Sequence, residues 1–132
     1  MAPPPTPALQ PRAAIVTVSY GSSDVLPGFL RSVPGVSSQP PIVIVADNKP
    51  EGDQTVAEIT GANHATYLPL HANLGYGGAI NAAVETLPSS VEWILVSNPD
   101  VSLTPGALDA LIAVGDSDPR VGSVADGAHR RG

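Results

Sequence analysis

Three short, almost unbroken apolar runs constrain this chain more than any other feature: residues 13–20, 41–46 and 93–97. A strand with one wet face alternates apolar and polar side chains. A strand covered on both faces reads as a continuous apolar run. Each of the three runs ends abruptly in polar residues, and a segment with helical spacing follows. Strand and helix alternate along the chain. That order predicts an α/β domain, a mostly parallel sheet with helices on both faces.

The helices follow from spacing. Leu26, Leu30 and Val33 share a face, with Phe29 beside them. They predict a helix from about Asp24 that Ser22 or Ser23 caps and Pro34-Gly35 ends. Val56 and Ile59 mark a short helix over residues 54–60, and residues 65–70 a weaker strand. Ile80, Ala83, Val84 and Leu87 predict a helix over residues 79–87. Thr104 is placed to cap a last helix with Pro105 at its first position, where proline is preferred. Leu108, Leu111 and Ile112 then point inward, and Gly115 closes the helix. Residues 121–124 read as the start of another strand. The expected division is a disordered proline-rich tail (1–12), a domain (13–124) that reads as truncated at its C-terminus, and an irregular tail (125–132).

At 132 residues the chain suits one domain with a real core. A formal charge of −6 argues against nucleic acid or an anionic membrane as a broad surface partner. The chain has no cysteine, which removes disulfides, thiolate zinc sites and a cysteine nucleophile. No stretch reaches the ~18 apolar residues needed to span a bilayer. The opening MAPPPTPALQPR lacks the apolar centre of a signal peptide.

Four polar elements fall at strand ends or helix starts. They are Ser19-Tyr20, Asp47-Asn48, the loop Asn73-Leu74-Gly75-Tyr76-Gly77-Gly78, and Asn98-Pro99-Asp100. In a parallel sheet they converge on one edge, where α/β folds bind ligands. Pro99 cannot continue a central ladder, so the strand stops there and holds Asp100 at its tip. A carboxylate so placed suits a hard divalent cation beside a phosphate. Asn, Pro and Asp are also turn formers, so a plain turn explains the same residues. Asp47 can accept from the N–H of a base, or close an Asx turn on its own backbone. The glycines let a backbone approach a ligand and open a helix whose N-terminus favours phosphate; a flexible loop is the simpler account. His64, His71 and His129 share no metal-ligand spacing, and His71 reads as a solvated loop residue.

The order and wording of these elements resemble the N-terminal, nucleotide-sugar-binding part of family 2 glycosyltransferases with the Rossmann-like GT-A fold. VTVSYGSSDVLPGFLRSV is similar to the family's first strand and helix, and IVIVADNKPEGD to its second strand tip. HANLGYGGAINAAV resembles the family's "N-G-x-x-x-x-N" segment, and ILVSNPDVSLTPGAL its metal-binding strand end. Within the family the wording is rhamnosyltransferase-like, as in bacterial cell-wall and polysaccharide assembly.

The resemblance implies an enzyme that moves a sugar from a nucleotide donor to a glycan or polyprenyl-linked acceptor, with inversion and metal assistance. It implies Mg²⁺ or Mn²⁺ on Asp100, with Asn98 where the family's D-x-D motif has its first carboxylate. It implies donor contacts from Thr17, Ser19 and Tyr20 on the first tip, and from Asp47 and Asn48 on the second. Asn73, Gly75, Gly77, Gly78 and Asn81 around the glycine loop, and Asn98 on the last tip, complete the set. UDP- or dTDP-linked sugars are the expected donors. The cytoplasm, or the inner face of the membrane, is the expected location. Self-association through uncovered surface is the expectation that goes with a domain read as truncated. The family's general base lies well downstream of its metal motif and is expected beyond Gly132. Asp109, Asp116 and Asp118 belong to the helix after the motif and its exit. Two alternatives stand beside this reading. One is a short protein that binds nucleotide sugar without catalysis. The other is a nucleotidyltransferase, for which a basic glycine-rich loop near the first strand is missing.

Overall fold

The computed structural model describes residues 10–50, 54–117, 123–124 and 128–130. Four strands and four helices alternate: β1 (Ala13–Ser19), α1 (Leu26–Ser32), β2 (Ile42–Asp47), α2 (Thr55–Ala62), β3 (Thr66–Pro69), α3 (Gly75–Glu85), β4 (Trp93–Ser97) and α4 (Ala107–Asp116). Two short strands follow, β5 (Ser123–Val124) and β6 (Ala128–Arg130). The sheet order is β3-β2-β1-β4-β6-β5. β1 to β4 are mutually parallel, and β6 runs antiparallel to β4 and β5. The expected α/β layering is therefore present.

The two-residue period of a strand splits the core. Ile15, Val45, Trp93 and Leu95 pack under α1, α2 and α4 through Leu26, Phe29, Val56 and Leu108. Ala14, Val16, Ile44, Ala46 and Ile94 pack under α3 through Ala79, Ala83 and Leu87. Both faces of β1 are covered, which is why its apolar run does not alternate.

Several boundaries differ from the expected ones. α1 begins after Val25 with no side-chain cap. Ser22 serves through its carbonyl, which accepts from Val25 and Leu26, while its hydroxyl accepts from the Tyr20 N–H. α4 begins at Ala107, not at Pro105, because Gly106 at φ +75° re-aims the chain and donates to the Gly35 carbonyl at 2.8 Å. α3 begins at Gly75, four residues before Ala79. Within the expected irregular tail, residues 128–130 pair with β4. Residues 1–9 of the proline-rich tail lie outside the described residues, as do Glu51-Gly52-Asp53, Asp118 and Val121.

Arg12 is not a free tail residue. Its guanidinium donates to both carboxylate oxygens of Asp116 at 3.0 Å and to Glu92. The Asp116 bonds, then the Glu92 bonds, hold it charged even more firmly than usual. The group ties the start of β1 to the start of β4 and the end of α4, at the sheet edge opposite the strand tips. The three side chains are about half exposed, so each pair contributes little on its own.

Asp109 sits on the same edge. It accepts from the Ser37 hydroxyl at 2.6 Å and the Ser38 N–H at 2.8 Å, which together hold its carboxyl below the usual range. A carboxyl whose folded value is lowered adds stability above its unfolded value of about 3.9 and loses it as pH falls through the folded value. Asp109→Asn is therefore expected to flatten the acid limb of stability. Urea unfolding at about pH 5 and about pH 3 checks this, and an unchanged difference between the two overturns it.

Candidate functional site

Parallel pairing brings Ser19 level with Asp47 and Thr17 level with Ser97, so the ends of β1, β2 and β4 share one edge. A cavity of about 550 Å³ opens beside Ser97, Asn98 and Val101, and two adjoining smaller ones open over the tips. The larger of these two, about 320 Å³, is lined by Val18, Tyr20 and Ser22, by Asn48, by Asn73, Gly75 and Tyr76, and by Asn98 and Pro99. The smaller, about 210 Å³, has Lys49 and Pro50 on one side and Leu70, His71 and Ala72 on the other. Tyr20, Asn48 and Asn73 line both.

Strand parity explains which tip residues reach this space. Val18, Ala46 and Val96 belong to the α3 face of the sheet. Tyr20, Asn48 and Asn98 continue the same alternation just past the strand ends, so these two cavities lie on the α3 side. Thr17, Ser19 and Asp47 have the opposite parity. Each is fully buried and lines neither cavity. The Thr17 Oγ1 has no hydrogen-bond partner among the described residues, and the Ser19 Oγ accepts from the Ser22 N–H at 3.4 Å. Asp47 accepts from the Lys49 N–H at 2.9 Å and from the Tyr67 hydroxyl at 2.7 Å. The Asx turn weighed for it is present.

Asn48 works on the backbone. Its Nδ2 donates to the Gly75 carbonyl at 3.1 Å, its Oδ1 accepts from Leu74 at 3.0 Å, and its own N–H donates to the Ser19 carbonyl at 2.9 Å. This clamp joins β1, β2 and the start of α3. Asn73 accepts from the Gly75 N–H at 3.0 Å, and its Nδ2 has no partner among the described residues. Gly75 stands at φ +74°, where any side chain is strained. A Cβ at Gly78 would meet the Leu74 Cβ at 2.9 Å, whereas one at Gly77 would meet nothing. Two glycines of the three are thus required by the fold, and Gly77 leaves its backbone open. Because α3 starts early, Asn81 lies on its second turn, not its first, and lines neither cavity.

Asn98 accepts from the Val101 N–H at 3.3 Å, closing a turn that leaves Asp100 exposed. The Asp100 carboxylate has no hydrogen bond among the described residues. No cluster of three acidic or histidine side chains that could hold a metal occurs among the described residues. One exposed carboxylate beside an open cavity nonetheless fits a Mg²⁺-type ion, which commonly takes one or two carboxylates and completes its shell with substrate phosphates. His64 lies elsewhere, beside the proline-lined cavity of Pro34 and Pro40. Spacing arguments missed Lys49, whose ammonium lies 5.2 Å from the centre of the half-exposed Tyr20 ring. Its signal was its place directly after Asp47-Asn48 in a chain with no other lysine.

Comparison with known proteins bears on the family and the fold. The chain is 33% identical over 119 residues to an N-acetylglucosaminyl-diphospho-decaprenol L-rhamnosyltransferase of Mycobacterium tuberculosis. That match covers 83% of this chain and 39% of the relative, so the chain spans about two fifths of the relative's length. In structure it is similar to S. aureus TarS 1-349 in complex with UDP-GlcNAc, with TM-score 0.65 and 21% identity over 80% of this chain and 31% of that one. It is also similar to the mannosyltransferase PcManGT from Pyrobaculum calidifontis in complex with GDP-Man and Mn²⁺. There the TM-score is 0.68 and the identity 20%, over 89% of this chain and 36% of that one. These neighbours share the GT-A fold with this chain. The family described as Glycosyl transferase family 2 matches residues 14–131, and this chain belongs to it.

Proposed function

We propose that the chain binds a UDP- or dTDP-linked sugar over the tips of β1, β2 and β4 and serves its inverting transfer to a glycan or polyprenyl-linked acceptor. The observation that carries this reading is the convergence of Tyr20, Asn48, Asn73, Gly75 and Asn98 on two adjoining cavities. The relatives' own ligands support it: UDP-GlcNAc, GDP-Man, and a diphospho-decaprenol acceptor. Among the described residues no helix is long and apolar enough to cross a membrane, and a lipid-linked acceptor implies peripheral contact with one.

Each residue has a place in this proposal. Tyr20 offers a ring face to the base. Asn73 and Asn98 offer amide groups to the ribose or diphosphate. The open backbone at Gly77 admits close approach, while Gly75 and Gly78 shape the turn that presents it. Asn48, Asp47, Ser19 and Thr17 hold the tips from behind. Asp100 is the residue that would hold Mg²⁺ or Mn²⁺, which supplies positive charge against a departing diphosphate.

A second reading, donor binding without transfer, is favoured by one observation. Asp109 and Asp116 are hydrogen-bonded at the opposite edge, away from both cavities. Calorimetry with UDP and dTDP in Mn²⁺ tests the shared premise, and binding of at least one is expected. No binding of either, with or without Mn²⁺, overturns both readings. Product analysis with nucleotide sugars and lipid-linked acceptors then separates transfer from binding alone.

A further inference from the structure

We propose that Lys49 determines which base the donor carries, by donating from its ammonium to a carbonyl oxygen of that base. The inference rests on the donor-site reading above and adds a residue and a selectivity to it.

The two cavities share Tyr20, Asn48 and Asn73 but differ at their far ends. One end is Tyr76, Asn98 and Pro99, directly before Asp100. The other is Lys49, Pro50 and His71. A nucleotide sugar runs base, ribose, diphosphate, sugar. With the diphosphate at the Asp100 end, the base falls at the Lys49 end. Asp47 lies behind this end, fully buried, and each of its oxygens accepts one hydrogen bond from the protein. The Asn48 amide is likewise committed to Leu74 and Gly75. The Lys49 ammonium is the cation at this end, exposed beside His71 and the Asn73 amide. It has only donors, so its match is an acceptor: a carbonyl of uracil, thymine or guanine, which adenine lacks. Its position 5.2 Å from the Tyr20 ring centre is within cation–π range. The ring thus holds the ammonium at the end of the site where the base would lie, reducing the ordering cost of binding.

Calorimetry in Mn²⁺ with UDP, ADP and ribose 5-diphosphate, which has no base, tests this. Lys49→Met is expected to weaken UDP about tenfold, the effect of one charged hydrogen bond. Ribose 5-diphosphate should change by less than about twofold, and the preference for UDP over ADP should shrink. Lys49→Arg keeps a cationic donor and should retain most UDP binding. Lys49 is exposed, so none of these variants threatens the fold. Equal loss of UDP and ribose 5-diphosphate would assign Lys49 to the phosphates and overturn the proposal. Unchanged UDP binding by Lys49→Met overturns it too. If the unmodified chain binds none of the three, the donor-site reading fails and this proposal with it. The two failures are therefore distinct.

Discussion

Trp93→Ala is expected to cost about 3–5 kcal/mol, a large fraction of the total stability of a domain of this size. Trp93 is fully buried on β4, between Ala13 of β1 and Arg130 of β6 in register. Its indole N–H donates to Asp116 at 3.3 Å, joining the group that Arg12 and Glu92 complete. Its ring fills the space under α4 so closely that a Cβ on Gly115 would lie 2.2 and 2.3 Å from two ring atoms. Gly115→Ala must therefore push the helix or the ring, at a cost of about 1–3 kcal/mol. The two sites share one contact, so their effects should not add. With Trp93→Ala in place, the methyl at residue 115 enters the vacated space, and the double variant should cost less than the sum. Urea unfolding followed by circular dichroism measures all three variants. Strict additivity would show that the ring and the helix do not press on each other.

That contact also shows what the sequence conceals. The strands were legible because burial on both faces leaves an uninterrupted apolar run, and β4 spans Trp93–Ser97 as expected. The helix starts were less so, because the groups that set them are remote in sequence. Asn48 fixes the start of α3 from 26 residues away, and Gly35 receives the N–H of Gly106 ahead of α4. Gly115 looks in sequence like a helix terminator, whereas the Trp93 ring is what excludes a side chain there. In the site, the shared edge was legible but the face was not. Polar character at a strand end marks the edge but does not by itself separate odd from even positions. Tyr20, Asn48 and Asn98 fall toward α3 and line the larger tip cavity, while Thr17, Ser19 and Asp47 turn to the other side. The parity of Val18, Ala46 and Val96 in the strands held that information.

Asp100→Ala is expected to abolish the metal dependence of nucleotide binding. On the proposed reading, Asp100 beyond the end of β4 would hold Mn²⁺, which would supply positive charge against the donor diphosphate. Asp100 is exposed, follows a proline that ends the strand, and makes no hydrogen bond among the described residues, so its removal should leave the fold intact. The metal increment is then the quantity to measure: UDP affinity with Mn²⁺ divided by affinity with chelator. It should be well above one for the unmodified chain and close to one for Asp100→Ala. Affinity in chelator should be equal or higher for Asp100→Ala, because a negative charge beside the diphosphate is removed. Asn98→Asp moves the other way. Asn98 lines the larger tip cavity two residues from Asp100, and a carboxylate there supplies a second oxygen ligand and a second negative charge. That variant should bind Mn²⁺ more tightly and raise the increment. A shift on the order of tenfold corresponds to about 1.4 kcal/mol. In the absence of metal the same variant should bind UDP more weakly, because the new charge faces the diphosphate unscreened. Opposite responses to metal from two neighbouring positions are hard to obtain from a plain turn. A turn predicts only small changes in stability for both. If Asp100→Ala keeps the full Mn²⁺ increment, the carboxylate at the end of β4 is a turn residue, and the metal is held elsewhere.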